Sequence, residues 1–403
     1  MLTCPGVAAL KGLFAARPAI VVAAGPTLDG ALPVLQTVQR RAVIIAVGQA
    51  LRPLLRHGIE PEFVVAVDSD PVTLRQYDDL PPHDRTWMVG GINLCPELTA
   101  SYAERMFGFS HALANIQPWL AEIDALPGSL MVGGTVAVSA IDLAGQMGGD
   151  PSFFCGLDLA YRDDGTTHAS STQWDGEREA TAHLTRVPGN YQDTVPTSKQ
   201  FAKYITIMNT HLAQIQRQQA VTFYNATDGG ARLEGTRLIR PAAIPERLPA
   251  GESPSWQEDI QHARKSYCPP DRDRVRDHVH DLLDELEQVQ ATCTAGRDHC
   301  RALGKPFLPA VRERELLEDL AAVDVQLKGY TQALQFLEGV VSNQCTNILN
   351  RQSSADDGST ADGARAGEQL YDKLLAGSEL LADKINQSLT DFSHDPPAGA
   401  QTA

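Results

Sequence analysis

Three short segments end apolar runs with residue types suited to holding a phosphorylated or hydroxylated ligand. The first is Gly25-Pro26-Thr27, directly after Ala19–Ala24. Glycine turns the backbone tightly, proline fixes one dihedral, and threonine can cap the helix that follows. Free N–H groups at such a helix start attract phosphate through hydrogen bonds and the helix dipole together. A plain strand-to-helix turn would carry the same residues. The second segment, Asp68-Ser69-Asp70, follows Phe63–Val67. A carboxylate pair there can hold a divalent ion that bridges a diphosphate. Alternatively, Asp68 accepts backbone or ribose hydrogen bonds and Asp70 caps a turn before Pro71. The third is Cys155-Gly156-Leu157-Asp158. Gly133-Gly134-Thr135 adds two glycines before a capping threonine, an opening that lets a ligand approach the backbone closely. His168 lies further on, in the polar stretch GTTHAS, where a near-neutral pKa suits a general base; a solvated loop histidine is the other reading. His57, His83, His111 and His183 have no comparable setting. The fingerprint GxGxxG is missing, and Val47-Gly48 stands where an acidic residue would end the second apolar run, which argues against an NAD enzyme.

The elements that must position these residues are legible up to about residue 240. Apolar runs at Ala19–Ala24, Ala42–Val47, Phe63–Val67, Thr86–Val89, Ser152–Cys155 and Val221–Tyr224 alternate with helical patterns at Leu28–Val38, Ala50–Arg56 and Thr135–Met147. Continuous rather than alternating apolarity is what a sheet covered on both faces requires, so residues 15–240 read as an α/β domain with a parallel sheet and crossover helices. The segments named above then share one sheet rim, where doubly wound folds bind ligands. Between Tyr161 and Thr197 the chain turns polar and reads as an active-site loop or a disordered insertion. An amphipathic helix carrying Phe201, Tyr204, Ile205, Met208, Leu212 and Ile215 follows it.

Residues 241–272 form a proline-rich connector, and residues 273–393 a helical domain. Apolar stripes run through Val275, Val279, Leu282, Leu286 and Val289, through Leu316 to Val341, and through Leu370, Leu374, Leu381, Ile385 and Leu389, which predicts an α-helical bundle. Such helices offer a surface for oligomerisation or a partner. Residues 394–403 read as a disordered tail. No internal repeat is present.

The chain of 403 residues is 43% hydrophobic and 21% charged, as expected of a globular protein. A net charge of −16 without basic clusters argues against a nucleic-acid partner. No run approaches the ~18 apolar residues of a membrane span. Arg17 and Pro18 interrupt the N-terminal apolar stretch, which reads as a buried strand rather than a signal peptide. Seven cysteines without a CxxC pair fit no zinc template and read as reduced thiols, consistent with a cytoplasmic protein.

In their order, these blocks resemble the motility accessory factor (Maf) glycosyltransferases and the related archaeal 6-hydroxymethylpterin diphosphokinase (MptE-like) proteins. The stretches that carry the resemblance are IVVAAGPTLD, GIEPEFVVAVDSDP, GGTVAVSAIDLAGQMGGDPSFFCGLDLAY with THA, VPGNYQDTVPTSKQF and YNATDGGARLEGT, over residues 18–240. The scaffold is also similar to that of CMP-sugar-dependent bacterial sialyltransferases. The resemblance implies a Rossmann-like fold and a transferase that moves a nonulosonic acid from a CMP-activated donor to Ser or Thr of flagellin. Carried over, Gly25, Pro26 and Thr27 would hold the donor phosphate. Gly133, Gly134, Thr135, Gly156 and Asp158 would line the nucleotide pocket, with Asp68 on the same rim. Tyr161 and His168 would face the transferred sugar, and Thr197, Asn225 and Thr227 would complete the wall. His168 and Asp158 are the expected catalytic pair. Two departures stand out: only about twenty residues precede the first strand, where Maf proteins place a separate domain, and Thr27 replaces the commoner serine. The diphosphokinase alternative transfers diphosphate from ATP with a divalent ion such as Mg, held by Asp68 and Asp70. A third reading is a non-catalytic nucleotide-binding scaffold.

Overall fold

A computed structural model describes residues 4–111, 116–251, 256–338, 341 and 360–394. The chain divides into two compact units, residues 1–113 with 126–269, and residues 114–125 with 270–403. The expected boundaries at 240 and 272 and the tail at 394–403 differ from this division; of the tail, only the backbone of His394 is described.

The first unit is built on an eight-stranded parallel sheet in the order β10-β9-β6-β1-β2-β3-β4-β5. Its strands are β1 (Ala19–Val22), β2 (Val43–Val47), β3 (Phe63–Ala66), β4 (Trp87–Gly91), β5 (Met106–Phe109), β6 (Ser152–Cys155), β9 (Phe223–Asn225) and β10 (Arg237–Leu238). Strands β1 to β6 are buried at every residue, the condition for an all-parallel sheet covered on both faces. β1 pairs with β2 on one side (Val22 opposite Ala46) and with β6 on the other (Val22 opposite Cys155). The chain therefore winds outward from β1 to β5 and then returns to the far side of β1. That reversal opens a crevice at the carboxyl ends of β1 and β6.

Three helices face this crevice: α1 (Leu28–Val38), α2 (Gly48–Arg56) and, past the short helices α3 (Pro96–Ser101) and α4 (Gln117–Glu122), α5 (Val136–Gln146). Each follows a strand or loop on the carboxyl rim. α6 (Lys199–Gln218) is capped by Ser198, whose hydroxyl accepts from the Phe201 N–H at 3.0 Å. The polar stretch after Tyr161 is an ordered loop that includes an antiparallel hairpin, β7 (Thr185–Pro188) with β8 (Thr194–Thr197).

Two strands, β5 and β10, lie outside the six apolar runs. β5 reads Met-Phe-Gly-Phe, and its glycine interrupts the β-branched composition that marks the other central strands. The proline-rich connector also proves to be core. Its helix α7 (Trp256–Lys265) buries Trp256, Ile260 and Ala263, and the Trp256 ring meets Phe14 edge-on at 5.5 Å.

The second unit holds α8 (Arg272–Leu303), α9 (Ala310–Gly329) and the helix Thr360–His394, with α4 from the inserted segment. Val275, Leu282, Leu286 and Val289 of α8 are buried, as the stripe requires. In the helix Thr360–His394 the best-buried side chains are instead Ala364, Tyr371 and Ser378, while Leu370, Leu374, Leu381, Ile385 and Leu389 are half-buried. The Tyr371 hydroxyl donates to Asp324 of α9 at 2.9 Å. Among the described residues, no helix is long and apolar enough to cross a membrane.

Candidate functional site

A cleft of about 320 Å³ lies on the carboxyl rim where the crevice opens. Its floor is Ala23, Ala24 and Gly25, which follow β1, with Gly156, Leu157 and Asp158, which follow β6. The amino ends of α2 (Gly48, Gln49) and α5 (Thr135, Val136, Ala137) open into it, and Asp68 stands at the end of β3. The loop contributes Thr167, His168, Gln173 and Trp174, and α6 contributes Phe201 and Tyr204. Helix starts supply partial positive charge and unpaired N–H groups, so this rim suits a ligand with an anionic group.

Asp158 is the best-buried carboxylate of the cleft, 4% exposed. Burial pushes its carboxyl up to about 6, against the opposing pull of the Thr27 hydrogen bonds and of Arg162. The Thr27 hydroxyl donates to Asp158 Oδ2 at 2.8 Å and the Thr27 N–H at 3.4 Å. Thr27 was expected to cap α1 and cradle a phosphate; its side chain makes no capping bond, and its hydroxyl and N–H are both given to Asp158. The start of α1 thus already carries a carboxylate. Gly25 is required for the same reason, since a Cβ there would lie 2.1 Å from Asp158 Oδ2 and 2.6 Å from the Gly156 carbonyl. Gly156 has φ +65, and a Cβ would strike the Ala23 carbonyl at 2.4 Å.

His168 Nδ1 lies 2.8 Å from the Thr167 hydroxyl, and its ring is 6.5 Å from that of Trp174. Burial lowers its pKa, which keeps the imidazole neutral near pH 7. No hydrogen-bond partner holds Nε2 among the described residues. The loop carrying His168 is tied down at several points. The Ala169 N–H donates to Ala24 at 2.9 Å, the Ser170 hydroxyl donates to Asp29 at 2.9 Å, and Gln49 and Gln173 bond each other reciprocally at 3.2 Å.

The remaining expected residues separate into those on the cleft and those behind it. Thr135 lines the cleft and caps α5, accepting from the Ala137 N–H at 3.4 Å. Gly133 and Gly134 do not line it; a Cβ on either would meet Ile207 or Tyr204, so they serve the close approach of α6. Pro26 offers its carbonyl to Arg162 at 2.6 Å. Tyr161 lines a second cleft, and its hydroxyl donates to Glu179 at 2.8 Å. Thr197, Asn225 and Thr227 are fully buried. They bond the Leu159 carbonyl, Asn190 and the Leu157 N–H, and so hold the segment after β6 rather than form a wall. Asp68 lines the cleft, its carboxyl raised by burial and by Asp70. Asp70 accepts from the Val72 N–H at 2.9 Å and lines neither of these two clefts. Asp68 thus faces the cleft while Asp70 caps the turn at Pro71, and among the described residues no group of three or more His, Cys, Asp or Glu is placed to hold a metal.

Sequence reasoning missed Gln49, Gln173 and Trp174. A tryptophan inside an otherwise polar loop was the available signal. Phe201 and Tyr204 were read only as part of an amphipathic stripe.

The all-parallel sheet with its cleft at the β1/β6 reversal defines a doubly wound α/β domain. Residues 1–164 match the family model described as 6-hydroxymethylpterin diphosphokinase MptE-like. A structure of a Maf glycosyltransferase from Magnetospirillum magneticum AMB-1 is similar over 98% of this chain, with a TM-score of 0.55 at 16% identity. This chain spans 61% of that protein's length, and at such identity the likeness is one of fold. No curated protein matches the chain. The resemblance read from the sequence is thus borne out by a family model in the first 164 residues and by fold over most of the chain.

Proposed function

We propose that the α/β unit is a glycosyltransferase that moves a nonulosonic acid from a CMP-activated donor to a Ser or Thr hydroxyl of a protein acceptor such as flagellin. The observation that carries this reading is the cleft at the β1/β6 reversal, where a neutral His168 and the buried Asp158 line one cavity with two helix starts. The leaving phosphate would lie against the amino ends of α2 and α5, because that of α1 is filled by Asp158. With Nδ1–H donating to Thr167, His168 Nε2 keeps its lone pair and takes the acceptor's proton. The acceptor oxygen then bonds to the anomeric carbon, the carbon–oxygen bond to phosphate breaks, and CMP departs with the electron pair. Trp174, Phe201 and Tyr204 supply aromatic surface for the base and sugar.

His168→Ala should lower CMP release in the presence of acceptor by ~100- to 10,000-fold, with donor affinity nearly unchanged, because a base acts in the transition state and adds little to ground-state binding. Near-wild-type transfer by that variant would falsify the mechanism. A second reading, diphosphate transfer from ATP, draws on the MptE-like match and on Asp68 in the cleft. Calorimetry separates the two: the glycosyltransferase binds CMP without added metal, whereas the diphosphokinase prefers ATP with Mg and is impaired by Asp68→Asn.

A further inference from the structure

A second cleft, about 570 Å³, lies on the other side of Asp158, which is the one residue that lines both. A transfer between two substrates requires their reacting groups to meet, and two cavities that share one side chain allow that. Four carboxylates, Asp158, Asp163, Asp164 and Asp228, line the second cleft against two guanidinium groups, Arg162 and Arg240. Arg162 donates to the Pro26 carbonyl at 2.6 Å, and Arg240 is ion-paired with Asp228 while lying 3.8 Å over the Tyr191 ring. Arg178, from outside the cleft, meets Asp164 at 3.7 Å. Two carboxylates stay open. Asp163 is exposed, with no partner among the described residues, and Asp158 uses Oδ2 for Thr27 while no side chain bonds Oδ1. An opening with more carboxylates than guanidinium groups, and with spare acceptors on two of them, disfavours phosphate and attracts donors and ammonium groups.

We propose that the second cleft is the acceptor site and that its occupant is a neutral-to-basic polypeptide segment, entering past Asp163 and Tyr191 and presenting its hydroxyl at Asp158. The proposal rests on the transfer reading for the word acceptor, but the binding it describes can be measured without turnover. The excess of acidic residues over the whole chain, a net charge of −16, favours the same partner.

The test uses two synthetic peptides, one with a serine flanked by lysines and its counterpart flanked by glutamates, titrated calorimetrically into the full chain. The lysine peptide should bind, more weakly as salt is raised, and the glutamate peptide should not. Asp163→Asn should weaken the lysine peptide about threefold and Asp163→Lys more, both leaving CMP affinity unchanged. Equal affinity for the two peptides, binding of neither, or indifference to both Asp163 variants would overturn the proposal. CMP titration reads the first cleft separately, so loss of the nucleotide reading and loss of the acceptor cleft are told apart.

Discussion

Asp158→Asn puts the description of the buried carboxylate to its most direct test. The side chain is 4% exposed, and its carboxyl is raised from 3.8 to about 6. An acid whose folded pKa exceeds its unfolded one holds its proton more tightly when folded. Its stabilisation is therefore complete below 3.8 and is lost as pH rises through about 6. At about 1.4 kcal/mol per pH unit, the loss amounts to about 3 kcal/mol. Asparagine keeps an oxygen that can accept from Thr27 and does not ionise. Whatever its offset at acid pH, the variant should gain about 2.5 kcal/mol on wild type between about pH 4 and about pH 8. Glu62, buried and raised to about 8, adds a pH dependence of the same sign to both proteins and cancels in the difference. The assay is urea unfolding followed by tryptophan emission in a Trp119→Phe background, which leaves Trp87, Trp174 and Trp256, all in the α/β unit. A difference that stays flat with pH would show that the carboxylate is solvated. A shift in favour of wild type would show that the α1 dipole and Thr27 outweigh burial. Catalysis should fall in the variant, because Asp158 is the one residue that lines both clefts.

Gly25→Ala should destabilise the α/β unit by about 1–3 kcal/mol rather than merely weaken ligand binding, because its Cβ would meet Asp158 and the Gly156 carbonyl; a melting curve identical to wild type would contradict the close approach. A chain ending at Pro269 should fold and keep CMP affinity. One ending near Pro254 loses Trp256, Ile260 and Ala263 from the core and should be less stable by at least about 3–5 kcal/mol, the typical cost of truncating one buried tryptophan. Denaturant titration of the two truncated chains checks both.

The sequence by itself determined the layered α/β architecture, because a parallel sheet covered on both faces needs uninterrupted apolar runs. Six of its eight strands announced themselves that way. It also placed Gly25, Asp68, Thr135 and Asp158 on the rim that carries the candidate cleft, since each follows a strand or opens a helix. The period of the C-terminal helices was equally visible. What only the tertiary structure decided were relations between residues distant in the chain. Asp158 takes the Thr27 hydroxyl and N–H across 131 residues, which turns an expected phosphate cradle into a carboxylate clasp. Thr197, Asn225 and Thr227 become buried supports, Tyr161 joins a different cleft from His168, and Trp256 of a proline-rich connector completes the core against Phe14. Local patterning records which face of an element is apolar and where the backbone must turn. It carries no record of which partner fills that face or which hydrogen bond a polar group finally makes, because both are set by the packing of segments that meet only when the chain has folded.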